Sequence, residues 1–238
     1  MFVIPRMRLA LSALLAVGAV AISSCGQDVA GEAQPIGEEI DSCDAGVVLV
    51  LDVSLSMEAT DVAPSRLAAA TQAAKDFADG LPPQTMLGLV TFAGTAQVVT
   101  APSTDRDTFK NALDTVTLYE RTATGEGIFT ALSSAVRLPE GPRRIILISD
   151  GKQTVPFDLN EPRGAYTAAT EAKRENIPVS TISLGTDRGE VEVPGASRVR
   201  VPTDPESLRE IAQLSGGDFH DATSPEALTR AFDAMTCD

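Results

Sequence analysis

The sequence has one histidine, His220, three cysteines with no C-x-x-C pair among them, and no P-loop. Each shortage removes a chemistry. A serine hydrolase needs a base beside its nucleophile, and the only imidazole adjoins Phe219 near the C-terminus, where a structural role suits it better. Zinc, dithiol redox and nucleotide chemistry have little to build on. Basic residues are scarce too: 19 Lys and Arg face 33 Asp and Glu, a formal net charge of -14. That balance argues against nucleic acid or an anionic lipid surface as partner, and solubility explains it more simply than an acidic substrate would. Long apolar runs are also missing. The longest near the N-terminus, Leu9 to Ile22, would rise about 21 Å as a helix, short of the roughly 30 Å hydrocarbon core.

With Arg6 and Arg8 before it and Ser23-Ser24-Cys25 after it, that run is laid out as a signal peptide, residues 1–24. Ile22-Ser23-Ser24-Cys25 resembles the lipobox of bacterial lipoproteins. The resemblance implies cleavage before Cys25 and acylation of its thiol. The chain would then be held in the cell envelope, on the outer face of the cytoplasmic membrane or, depending on organism, in the periplasm or outer membrane. The alternative is ordinary cleavage nearby, with Cys25 a stray thiol. Once Cys25 is acylated, Cys43 and Cys237 remain, an even number outside the reducing cytosol. A disulfide between them would contribute on the order of 5 kcal/mol in the chain-entropy account; two unpaired thiols are the alternative. Residues 25–43 are polar and acidic, with glycines, a proline and too few apolar residues to pack, and read as a flexible tether. Residues 44–238 make one domain of ordinary size.

Within that domain strands and helices alternate. "GVVLVLDV" (46–53) and "RRIILISDG" (143–151) are apolar at both parities, as in strands buried on both faces of a parallel sheet. A helix opened by Pro64 and Ser65 puts Leu67, Ala70, Ala74, Phe77 and Ala78 on one face and stops at Gly80. "MLGLVTFAG" and "AQVVT" form an antiparallel edge hairpin. Helices are predicted over 105–116, 128–137 and 163–175, with a break at "TLYERTATGEG". "IPVSTISLG" is a further strand, and 186–204 reads as a hairpin excursion. Thr203 with Glu206, and Thr223 with Glu226, read as capping boxes starting two last helices, with the strand "GGDFHDA" between them. The sum is an α/β fold: a doubly wound, mostly parallel open sheet with one antiparallel edge strand and helices on both faces. Ligands of such sheets bind at the carboxyl ends of the strands, where the strand order reverses.

Asp52, Ser54 and Ser56 in "LDVSLSM" lie at one such end, on one parity of the strand's continuation, and Asp150 lies at another. Serine hydroxyls are neutral oxygen ligands and aspartates anionic ones, so a D-x-S-x-S loop can offer a hard cation a site of low charge. Together with the threonine of "ERTATGEGIFTAL", with "LISDG" and with the late "LREIAQLSGGDFHDATSPEAL", these residues resemble a von Willebrand factor type A (VWA) domain carrying a metal-ion-dependent adhesion site. The resemblance covers about residues 45–236 and includes the Rossmann-like order of elements. It implies that Ser54, Ser56 and Thr122 offer hydroxyls to Mg²⁺ (or Mn²⁺ or Ca²⁺), that Asp52 and Asp150 bind it directly or through water, and that a protein ligand supplies an acidic residue.

One departure stands out. Family members commonly have glycine before the threonine, and here Glu120 and Arg121 precede Thr122. Arg121 could hold an incoming carboxylate or pair with Glu120; the alternative is that both point to solvent. A haloacid-dehalogenase phosphatase would need a second acid two residues after Asp52, where Ser54 stands. The expected function is therefore binding, not catalysis, by a lipid-anchored extracytoplasmic domain. The rival is a structural or assembly factor of an envelope complex in which the metal only stabilises the loops.

Overall fold

A computed structural model of the chain describes residues 46–192 and 197–236. The expected signal peptide, tether, Cys25, Cys43 and Cys237 lie outside the described residues. Strand β1 (Gly46–Asp52) is buried along its whole length and pairs in parallel with β2 (Met86–Phe92) on one side and β4 (Arg143–Ser149) on the other. An apolar strand of this kind needs cover on both faces, and helices supply it. Val47, Leu49 and Leu51 pack with Ala70, Ala74 and Phe77 of α1 (Arg66–Gly80), Phe109 of α2 (Arg106–Leu113) and Phe232 of α6 (Pro225–Asp233). Val48 and Val50 pack with Ile128 of α3 (Thr124–Ala135), Ala168 of α4 (Ala165–Arg174) and Ile211 of α5 (Pro205–Ser215).

The sheet has the order β3-β2-β1-β4-β5-β8, where β3 is Ala96–Ser103, β5 Val179–Leu184 and β8 Phe219–Ala222. Only β3 runs antiparallel, against β2 at the edge, as the sequence pattern predicts. The chain leaves β1 for β2 on one side and later enters β4 on the other, so the order reverses between β1 and β4. The hairpin β6 (Glu190–Val191) with β7 (Val199–Arg200) is the expected excursion between β5 and α5.

The starts of α3, α5 and α6 differ from the sequence reading, each for a definite reason. Helix α3 begins at Thr124, not near Ile128. Its two glycines look like a break in the sequence, but packing requires them: a Cβ on Gly125 would lie 2.1 Å from the Arg163 carbonyl oxygen, and one on Gly127 2.9 Å from the Phe92 ring. The caps of α5 and α6 are Asp204 and Ser224, not Thr203 and Thr223. Pro205 and Pro225 take the first helical position, where a missing N–H costs nothing, so the cap is the residue directly before each proline. Asp204 accepts from Ser207 N–H (3.2 Å) and Ser224 from Ala227 N–H (3.2 Å).

Helix α6 is fixed to α1 by Phe232 stacked on Phe77, centroids 4.7 Å apart. Phe232→Ala should lower the unfolding free energy by about 3–5 kcal/mol, read as a lower urea midpoint at unchanged m-value.

Candidate metal centre

Asp52 is the last residue of β1, and Asp150 follows the last residue of β4, so the reversal of strand order sets two carboxylates side by side. The strand does not continue through the serines, which corrects the expectation of a shared strand parity. Residues Leu55–Glu58 form a 3-10 turn instead, and this turn brings the hydroxyls of Ser54 and Ser56 to 2.9 Å. Asp52 itself is fully buried, and both its oxygens are occupied: Oδ1 accepts from Ser54 N–H (2.8 Å) and Oδ2 from the Ser149 hydroxyl (2.5 Å). Ser149 in turn accepts from Gly151 N–H (2.8 Å).

Thr122 comes from the loop before α3 and is held from two sides. Its N–H donates to the Thr154 hydroxyl (2.8 Å), and its carbonyl accepts from Thr154 N–H (2.8 Å) and Val155 N–H (3.1 Å). Ala123 N–H and the Glu120 carbonyl bond Ala93 and Gly94 beyond β2 at 2.6 and 3.1 Å. Between them Arg121 has φ 71°, a left-handed backbone that suits glycine. This accounts for glycine being the commoner residue there in the resembling family.

Ser54, Ser56, Thr122 and Asp150 line one cavity of about 280 Å³, and Asp52 lies behind its wall. Arg121 lines that cavity and also the adjoining one of about 470 Å³; Glu120 lines only the latter. The two are not an ion pair.

The sequence reading missed the charge that balances the carboxylates. Arg66, the first residue of α1, is fully buried. Its guanidinium donates to Asp150 Oδ2 (3.0 Å), to both oxygens of Asp61 (2.9 and 2.8 Å) and to the carbonyls of Thr186 (3.2 Å) and Val201 (3.0 Å). Its only trace in the sequence is its place in the apolar stripe of α1, four residues before Ala70 and eight before Ala74. Space for it comes from glycine: a Cβ on Gly185 or Gly189 would lie 2.4 or 2.1 Å from its nitrogens.

The carboxylates stay strained electrostatically despite this partner. Burial, and then the charge of Asp150, push the Asp52 carboxyl up to about 7, against the hydrogen bonds from Ser149 and Ser54. Burial also raises Asp150, opposed by Ser56 and Arg66. Asp61 goes the other way: burial is outweighed by hydrogen bonds from Arg66 and Thr186, which hold it below the usual carboxylate range. Two buried carboxylates with one guanidinium on only one of them, beside three hydroxyls, leave the inner end of the pocket negative and lined with oxygen. Among the described residues no group of three or more His, Cys, Asp or Glu converges. The oxygen donors themselves, three hydroxyls and two carboxylates, suit a hard divalent cation. Ser54, Ser56, Thr122 and Asp150 could hold it, with Asp52 reaching it through the Ser54 hydroxyl or bound water.

A doubly wound sheet that delivers an aspartate from each strand at its reversal point, a serine-bearing turn and a clamped threonine define a domain of the von Willebrand factor type A class. Residues 47–153 match the family model described as von Willebrand factor type A domain, and the folded region of this chain has the Rossmann-like VWA fold. The chain is 56% identical over 207 residues to a UPF0353 protein of Nocardia farcinica, over 80% of this chain and 62% of that protein. It thus spans about three-fifths of that relative's length. An aerotolerance-related membrane protein from Bacteroides fragilis aligns with TM-score 0.70 and 25% identity, over 80% of this chain and 96% of that one. Proximal thread matrix protein 1 from the mussel byssus, in a structure described as having a zinc-occupied MIDAS motif, aligns with TM-score 0.61 and 20% identity, over 82% and 46%.

Two measurements test the electrostatics. Arg66→Met should destabilise by about 3–5 kcal/mol, because Asp150 and Asp61 lose their buried partner. Adding Asp150→Asn should restore part of that in a double-mutant cycle. The metal-free protein should also lose stability as pH rises from about 4 to about 7. In that window folded Asp52 still holds a proton that the unfolded chain has released. Asp61 acts oppositely, below its unfolded value. Mg²⁺ should therefore raise Tm strongly at pH 7.5 and little at pH 5, because it binds the ionised pair.

Proposed function

We propose that this domain captures a protein ligand through a divalent cation, Mg²⁺ or in its place Mn²⁺ or Ca²⁺, at a metal-ion-dependent adhesion site. Ser54, Ser56 and Thr122 contribute hydroxyls, and Asp52 and Asp150 contribute the charge, directly or through water. One observation carries the reading: four of these five residues line a single cavity, and the fifth, Asp52, is buried and accepts from the backbone amide of lining residue Ser54. When bound, the ion supplies an electrophilic centre for a carboxylate of the partner. The protein's own residues do the rest. The backbone amide of Ser54 and the hydroxyl of Ser149 fix Asp52, Arg66 aims Asp150, and the 154–155 segment holds Thr122 in place. The role is binding, not catalysis: among the described residues no histidine lines the cavity beside the serines.

Anchoring through an acylated Cys25 is part of the same proposal. It agrees with the membrane description of the Bacteroides fragilis neighbour. Among the described residues no helix is long and apolar enough to cross a membrane. The zinc-occupied MIDAS motif described for the mussel byssus protein supports cation binding on this fold.

Titrating the full chain with MgCl₂ should raise Tm, and Asp150→Ala should abolish the rise. In a pull-down from envelope extract, wild type should retain its partner with Mg²⁺ and lose it with EDTA, and Asp52→Ala should fail in both. Partner retention unaffected by EDTA would favour the assembly-factor role instead.

A further inference from the structure

The cavity that collects the serines, Thr122 and Asp150 is rimmed by three basic side chains, Arg121, Lys152 and Arg200, all exposed. The only acid lining it is Asp150, itself tied to Arg66. This is a local reversal of sign on a chain of net charge -14. Dispersed surface lysines and arginines serve solubility, but that does not require three of 19 to converge on one cavity of about 280 Å³.

They arrive from separate places: Arg121 from the loop before α3, Lys152 from the turn after β4, and Arg200 from β7 of the excursion hairpin. Among the described residues neither the Arg121 nor the Lys152 side chain has a hydrogen-bond or ion-pair partner. Arg200 donates to the Asp187 carbonyl at 3.0 Å, which positions it without neutralising it. The left-handed φ of 71° at Arg121 adds to the argument. A residue with a Cβ pays a conformational cost there, and what it gains is a guanidinium at the mouth of the cavity.

Charge decides what such a mouth accepts. Asp52, Asp61, Asp150 and Arg66 with a bound divalent ion sum to zero, and the rim adds three positive charges. A single carboxylate leaves most of this unmatched. We propose that the site is selective for a segment of a partner protein with several neighbouring acidic side chains, one directed to the cation and the others to Arg121, Lys152 and Arg200. This rests on the cation-dependent reading above and adds to it the character of the ligand. Guanidinium groups suit the task because they present paired donors to carboxylates.

The test uses the full chain with MgCl₂ and two synthetic peptides of equal length, one with a single Glu among Gly and Ser, the other with three consecutive Glu. Affinities are measured by fluorescence anisotropy in low and high salt. The three-Glu peptide should bind about tenfold tighter at low salt, the combined effect of exposed charge pairs worth a few-fold each. High salt should erode the advantage. In Arg121→Gly/Lys152→Ser/Arg200→Ser the two peptides should become equal, while the Mg²⁺-induced rise in Tm, which reads the inner oxygens and the fold, persists. Equal cation-dependent affinities in wild type, or a preference that survives in the triple variant, would overturn this inference and leave cation-dependent binding intact. Binding of both peptides unaffected by EDTA would overturn the cation-dependent reading and this inference with it. No binding of either peptide in Mg²⁺, or displacement by inorganic phosphate at concentrations where acetate does nothing, would also overturn it.

Discussion

Arg66 carries a full positive charge wholly out of water, at the first turn of α1, and every donor on its guanidinium that the fold can reach has a destination. Asp61 takes two of its bonds, Asp150 one, and the carbonyls of Thr186 and Val201 the rest. These partners come from the loop after the serine turn, the end of β4, the turn after β5 and the chain leaving the excursion hairpin. A buried ion is tolerable only when paired and fully hydrogen-bonded, so this one constraint draws four loops to the same corner of the sheet. The candidate metal site is what those loops form on their outer side.

Two layers of charge result. The inner one, Asp52 and Asp150 against Arg66, is buried and unbalanced toward negative, and has a structural as well as a ligating logic. Asp52 is held by a backbone amide and a hydroxyl, which cannot neutralise it, and of the two carboxylates the guanidinium reaches only Asp150. The outer layer of Arg121, Lys152 and Arg200 is solvated and positive, and it costs little to maintain. A cation between the layers satisfies the first, and an anion at the mouth satisfies the second.

The fold was largely legible because its main signal, apolar residues at both parities of 46–52 and 143–149, has few structural solutions. The reversal of strand order follows from the same two strands, and so the pairing of Asp52 with Asp150 could be read from sequence. What escaped was everything decided by close approach. Gly125 and Gly127 looked like a break because their purpose, contact with the Arg163 carbonyl and the Phe92 ring, lies in other segments. The caps shifted by one residue because proline fixes its own position more firmly than threonine does. Arg66 was invisible because its partners are 5 to 135 residues away, and a lone arginine near a helix start reads as surface. Ser149 lies within "LISDG", but nothing local shows that its hydroxyl turns back toward Asp52.

Gly185 and Gly189 have no ionisable group, no hydrogen-bonding side chain and no place among the proposed ligands. Any Cβ on either would occupy the volume of the Arg66 guanidinium, and a displaced guanidinium can no longer reach Asp150. The electrical state of the pocket is thus governed partly by two positions whose contribution is vacancy. Chemistry-based searches for site residues would pass over both, yet a single methyl group at either would act on the cation site as a change of charge.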